Sequence, residues 1–234
     1  MSKALSTQRG LVAVLMTAVF VLALPAFAAD EAAPAPGGDK EPLKIKLPEP
    51  AFGGTPLNYF GLNLEKPMYT RPPFMAPKGA VNLAKGKTVT ASSDTTMGKL
   101  EQITDGEKEA NEKYVVELKP GKQWVQVDLG QKSEIYAVLT WHFFAYDRVY
   151  FDVVVQVSDD PEFAKDLTTV YNNDDDNTSG MGIGADKEYV EDYKGRLIDA
   201  KGAKGRYVRL YSKGNTTDAA NHYIEVEVYG KPAA

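Results

Sequence analysis

The chain has 234 residues, 43% of them hydrophobic, with no cysteine and a formal charge of −5. That is enough apolar material for a sizeable core, and the missing cysteines exclude a disulfide framework, a thiolate metal site and a lipid-modified cysteine. The acidic balance, with no clustered Lys/Arg stripe, excludes a nucleic-acid or anionic-membrane partner, since either needs a basic face.

Met1 to Ala28 reads as a secretory signal peptide: Lys3 and Arg9, an apolar run from Leu11 to Leu24, then Pro25 and the small-residue pattern Ala26-Phe27-Ala28. The competing reading, an uncleaved anchor, is disfavoured because the run falls short of the ~20 residues a spanning helix needs. Cleavage removes two positive charges and takes the formal charge from −5 to −7. The mature chain is expected in a periplasm or outside the cell, with no membrane insertion.

Residues 29–79 are rich in Pro, Ala and Gly, which rules out a helix or a central strand. Up to about Glu41 they read as a disordered spacer. From Leu43 to Phe74 they are too apolar for a free linker, with Ile45, Phe52, Tyr59, Phe60, Leu62 and Leu64 among others, and should lie on the folded domain or dock on a partner.

Residues 80–231 form one domain of short β-rich runs separated by turn residues, the pattern of an all-β sandwich. The expected strands are Thr88–Ala91, Val115–Glu117, Trp124–Leu129, Ile135–Phe143, Val149–Ser158, Thr168–Tyr171, Arg206–Tyr211 and Tyr223–Tyr229. Apolar residues alternate in Trp124–Leu129 and Tyr223–Tyr229, so each presents one face to a second sheet. Short helical turns are expected near Lys99–Thr104 and Asp160–Lys165.

Six landmarks follow in order: Asn82-Leu83-Ala84-Lys85-Gly86-Lys87, Ile103-Thr104-Asp105-Gly106, Trp124-Val125-Gln126-Val127-Asp128-Leu129-Gly130, Val153-Val154-Val155-Gln156-Val157-Ser158, Gly205-Arg206-Tyr207-Val208-Arg209-Leu210 and Glu225-Val226-Glu227-Val228-Tyr229-Gly230. In this order they resemble the discoidin, or F5/8 type C, domain of the galactose-binding-like superfamily, similar to bacterial carbohydrate-binding modules. The resemblance covers about Ala80 to Lys231. It implies a jelly-roll sandwich of about eight strands that binds ligands through loops at one end and is not a catalyst. The terminal disulfide and the membrane-inserting apolar spikes of animal members have no counterpart, which favours glycan binding. The resemblance also implies a structural calcium, with Asp105 and Glu225 at the matching positions. The competing reading is that Asp105 caps its turn and Glu225 is solvated.

For a sugar, the chemistry asks for an aromatic face and planar donors and acceptors. Tyr146 and Arg148 supply these where a strand runs into a loop, and His142, Asn221 and His222 are further candidates. Core packing is the favoured reading of Trp141 and Phe143, and a structural role that of the two histidines. The run Asn172–Gly180 holds Asp174, Asp176 and Thr178 at alternate positions but lacks the full calcium-loop spacing, and a solvated turn-rich loop is favoured. With two histidines and no cysteine there is no Cys/His dyad, zinc helix, Gly-x-Ser-x-Gly elbow or phosphate loop, so no catalytic activity is expected. The competing function is an accessory subunit that binds a protein surface through the 43–74 segment.

Overall fold

The computed structural model describes residues 39–51, 59–66 and 70–233. The expected signal peptide lies outside the described residues, as do most of the spacer and Phe52, Leu57, Met68 and Tyr69. Among the described residues no helix is long and apolar enough to cross a membrane.

The fold is an antiparallel β-sandwich. Its larger sheet runs in the order β3 (Val81–Asn82), β12 (Glu225–Pro232), β7 (Gln123–Trp141), β10 (Arg196–Ser212), β8 (Val154–Ser158) and β9 (Thr168–Asn172), with β4 (Val89–Ala91) also paired to β7. A three-stranded sheet faces it, in the order β11 (Asn221–Tyr223), β6 (Val116–Leu118) and β5 (Thr95–Met97). Val125, Val127, Leu129, Val155, Val157, Val208, Leu210, Val226 and Val228 pack with Val116, Leu118 and Tyr223 in one buried core. A 3-10 helix spans Leu100–Thr104, as expected there. The other expected turn, Asp160–Lys165, is not helical: Asp160 accepts from the backbone of Glu162 and Ala164 and forms a loop instead.

Two expected strands are one. The strand continues through Gly130, where its pairing with β10 shifts register, and against β12 register is lost where Tyr229 meets Ala137 but Gly230 meets Ile135, so Tyr136 is an extra residue in β7. A bulge of this kind reverses the alternation. Beyond it Ala137, Leu139 and Trp141 turn to the opposite face from Val125 and Val127 and join Phe144, Ile224 and Tyr229 in a second buried cluster.

The N-terminal segment covers that cluster. Leu43, Ile45, Ala51 and Phe74 pack against it, Leu43 N–H donates to the Phe74 carbonyl at 2.9 Å, and β1 (Lys40–Pro42) pairs with β2 (Met75–Pro77). The end of the expected spacer is therefore ordered as a strand. Trp141 is further fixed by its Nε1–H to the Tyr193 carbonyl at 3.0 Å. The backbone of Gly195 lies on the indole so closely that a Cβ would sit 2.5 Å from a ring carbon, and its φ is 64°. Gly195→Ala is accordingly expected to cost about 2–4 kcal/mol through overpacking plus left-handed strain, read as a lower denaturant midpoint at unchanged slope.

Candidate functional site

The β7–β8 connection and the loop before β11 meet at Arg148. Its Nη1 donates to Asp218 Oδ2 and to His222 Nδ1, each at 3.2 Å. The guanidinium stands 5.2 Å from the Phe143 ring centre and 6.0 Å from that of Tyr146, and the two rings meet edge to face at 5.7 Å. Arg148 is buried at 7% exposure, whereas Tyr146 is 59% exposed. The site thus presents an accessible aromatic ring beside a cation that cannot swing away.

His222 is placed by strand register. It pairs across with Glu117, and its Nε2 lies 3.1 Å from Glu117 Oε2 while Tyr150 Oη lies 3.0 Å from Nδ1. Arginine has no acceptor, so Nδ1 must accept and Nε2 must carry the proton given to Glu117. Burial, and then the charge of Arg148, hold the imidazole below its ordinary pKa. Glu117 Oε1 in turn accepts from Thr96 Oγ1 at 2.5 Å. The constellation is therefore Phe143, Tyr146, Arg148, His222, Glu117 and Asp218.

Two of the sequence candidates sit elsewhere. His142 is fully buried, its Nδ1 2.6 Å from Glu191 Oε1 and its ring stacked on Tyr150 at 4.4 Å. Asn221 is also fully buried: its Oδ1 accepts from Ser212 Oγ and Gly214 N–H, and its Nδ2 donates to the Lys119 and Gly121 carbonyls. All four of its hydrogen-bonding positions are spent inside the protein. Glu117 and Asp218 escaped the sequence reading, because only the β6–β11 register and the fold of the 213–222 loop bring them to Arg148.

Asp105 and Glu225 come to one place with different surroundings. Asp105 is exposed and accepts from Glu107 N–H at 2.8 Å. Glu225 is fully buried, its Oε2 accepting from Gly106 N–H at 3.1 Å and its Oε1 without a partner among the described residues. Burial, with the charges of Glu227 and Asp105, pushes its carboxyl up to about 9. Glu227 is already satisfied by Lys108 Nζ at 2.6 Å. An orphaned buried carboxylate oxygen next to a second carboxylate is a donor set that fits a hard cation. Glu225 is therefore not solvated, which removes half of the competing reading.

The acidic loop is organised internally. Asp152, Asp174 and Asp176 bring carboxylate oxygens within 4.8 Å of one another. Thr178 Oγ1 donates to Asp152 at 2.9 Å and Lys213 Nζ approaches it at 3.4 Å, while Asp174 is bonded by the backbone and hydroxyl of Ser179. Asp174 is only 1% exposed, whereas Asp175, Asp176, Asn177 and Thr178 are exposed, so the loop is turn-rich and solvated as expected, anchored to the protein through the buried Asp174.

No protein-family model matches the chain, and no curated relative matches it. Among solved structures the chain is similar to a family 89 glycoside hydrolase from Clostridium perfringens, with a TM-score of 0.49 and 19% identity over 65% of this chain and 15% of that one. It is also similar to chitosan-binding module 1 from a Paenibacillus chitosanase/glucanase, with a TM-score of 0.41 and 25% identity over 64% of this chain and 99% of that one. A fucose-binding module from Streptococcus pneumoniae matches with a TM-score of 0.44 and 20% identity over 64% of this chain and 97% of that one. The chain thus spans about 15% of the length of the hydrolase and nearly all of the two binding modules.

Proposed function

We propose that the protein is an exported, non-catalytic carbohydrate-binding module whose sugar site is the Tyr146–Arg148–His222 constellation, with a structural calcium held by Asp105 and Glu225. The observation that carries the reading is the exposed Tyr146 ring beside the locked guanidinium of Arg148. A pyranose stacks its apolar face on such a ring and directs its hydroxyls to fixed donors and acceptors, here Arg148, Asp218 and Glu117. The supporting network is assembled before any ligand arrives, which lowers the ordering cost of binding. Calcium at Glu225 would supply the charge that its buried oxygen lacks and tie the Asp105 turn to β12.

The test is a glycan array probed with the protein from Ala29 onward, with calcium and with chelator. Binding to one glycan class is expected, and Tyr146→Ala should weaken it at least about tenfold, the loss of roughly 1.4 kcal/mol expected for one stacking contact. A blank array from folded protein would overturn the reading. The pH dependence has a definite sign. Because the folded-state pKa of His222 is depressed, its contribution is complete above about 6.5 and is lost as pH falls through the lower folded value. Protonated Nδ1 then opposes Arg148, so affinity measured across a pH series should be level above about 6.5 and fall at lower pH.

A protein-docking role keeps one observation in its favour. Phe60 and Leu62 stand 85% and 103% exposed on the N-terminal segment, which is itself pinned by the Leu64–Glu188 bridge and by Glu65 to Arg196 at 2.6 Å. Co-purification of a partner that is lost on Phe60→Ser and Leu62→Ser would establish it.

A further inference from the structure

The larger sheet carries a second groove on its outer face, turned away from Glu117 and His222. A polar rung crosses five strands there: Thr90 pairs with Gln126, Gln126 with Arg209, Arg209 with Gln156 and Gln156 with Thr169. Their strand neighbours Val127, Val155 and Val208 face the core, so the rung must face outward. Arg209 is clamped between the Trp124 and Phe163 rings, 4.1 Å from each. Its Nε donates to Gln126 Oε1 at 2.8 Å and its Nη2 to the Pro161 carbonyl at 2.9 Å. These contacts hold the 160–163 loop above the sheet and leave a groove of about 340 Å³ bordered by Trp124, Gln126, Tyr207 and Glu162.

We propose that this groove is a second carbohydrate site, one that takes a short neutral oligosaccharide. Trp124 and Tyr207 are half-buried aromatics at its two ends. Tyr207 pairs with Asp128, four residues along β7 from Trp124, so the two rings are set apart by ~13 Å of strand. Between them Gln126 has given its oxygen to Arg209, which leaves its amide nitrogen as a donor, and Thr88 and Thr90 add hydroxyls. Charge is balanced locally: Asp128 is bound by Arg206 at 2.7 and 2.8 Å, and the groove is bordered by one further residue of each sign, Arg209 and Glu162. An aromatic platform with neutral hydrogen-bonding groups and no uncompensated charge suits a neutral sugar chain, and the volume suits a small ligand. The two sites on one module would act as a bivalent surface toward a polysaccharide, where weak sites gain by avidity.

The chain has two tryptophans, and Trp141 is fully buried, so Trp124 alone reports this groove. The experiment measures N-bromosuccinimide oxidation and emission of Trp124 in the chain from Ala29 onward, titrated with hexasaccharides of chitin, β-1,3-glucan, xylan and mannan. At least one is expected to slow oxidation about fivefold, as ~80% occupancy requires, equally in wild type and Tyr146→Ala. Thr90→Trp, read by isothermal titration calorimetry on Tyr146→Ala, should fill the groove and abolish the residual binding. Absence of protection by every hexasaccharide would overturn the proposal. Protection that vanishes in Tyr146→Ala would also overturn it, because the ligand would then belong to the loop-end site. Protection in Tyr146→Ala with a blank array would leave the groove standing and sink the loop-end reading.

Discussion

A chain that begins at Ala80 is expected to lose its cooperative folding, although every strand of the two facing sheets is still present. The reason lies on the outer face of β7 and β12. Past the bulge at Tyr136, Leu139, Trp141 and Tyr229 point away from the central core and are buried, with Ile224, beneath Leu43, Ile45, Ala51 and Phe74. Burial of one large apolar side chain is worth about 1.5–3 kcal/mol, so uncovering these four removes on the order of 6 kcal/mol or more. A domain typically holds about 5–15 kcal/mol in total. Polar losses add to this. Lys108, stacked 4.6 Å over Trp141 and paired with the buried Glu227, also donates to the Lys46 carbonyl at 2.7 Å. Arg71 donates to the carbonyls of Lys194 and Gly195 at 2.8 and 3.0 Å. Circular dichroism melting compares the trimmed chain with the chain from Ala29 onward. A sharp transition within a few degrees of the longer chain would contradict the account, and a broad or absent one is expected.

The second large effect concerns Glu225. If calcium occupies the Asp105–Glu225 site, stability should rise with calcium as ligand linkage requires, by about 4 kcal/mol at a thousandfold excess over Kd. That is a gain on the order of 10 °C in melting temperature for a chain of this size. Glu225→Gln is the informative substitution. With its carboxyl pushed up to about 9, Glu225 is protonated at neutral pH when no cation is present, and glutamine copies that neutral form while still accepting from Gly106 N–H. The variant should therefore match wild type in chelator and gain nothing from calcium. Equal calcium responses in the two proteins, or none in wild type, would contradict the assignment. Scanning calorimetry in both conditions decides it.

Much of the fold is written in alternation that a reader of sequence can see. Trp124–Leu129 and Glu225–Tyr229 alternate with period two because Val125, Val127, Leu129, Val226 and Val228 all face the central core, and the turn residues between strands mark the sandwich. The parts that stay hidden are those in which a third party inverts the pattern. Gly130 and the Tyr136 bulge interrupt the register of β7 but not the strand itself, which continues from Gln123 to Trp141. The first half of β10, through Asp199-Ala200-Lys201-Gly202, reads as a loop because its own register slips there. Glu225 and Glu227 read as solvent-facing charges, yet the N-terminal segment and Lys108 close over them.

The site divides along the same line. Tyr146 and Arg148 were visible as an aromatic and a planar cation at a strand end. Glu117 and Asp218 were not, since a charge in a strand and a charge in a loop gain meaning only through the residues they meet. His142 and Asn221 drew notice by residue type, and type alone does not tell a polar group that is satisfied inside the protein from one left free for a ligand.

The most direct test of the central claim is chemical-shift mapping of the glycan that binds most strongly on the array, titrated into isotope-labelled protein from Ala29 onward with calcium. The largest perturbations are expected at Tyr146, Arg148, Asp218, His222 and Glu117, with the Arg148 Nε–H signal moving most. Saturable binding that leaves those five residues unmoved would contradict the account of the loop-end site.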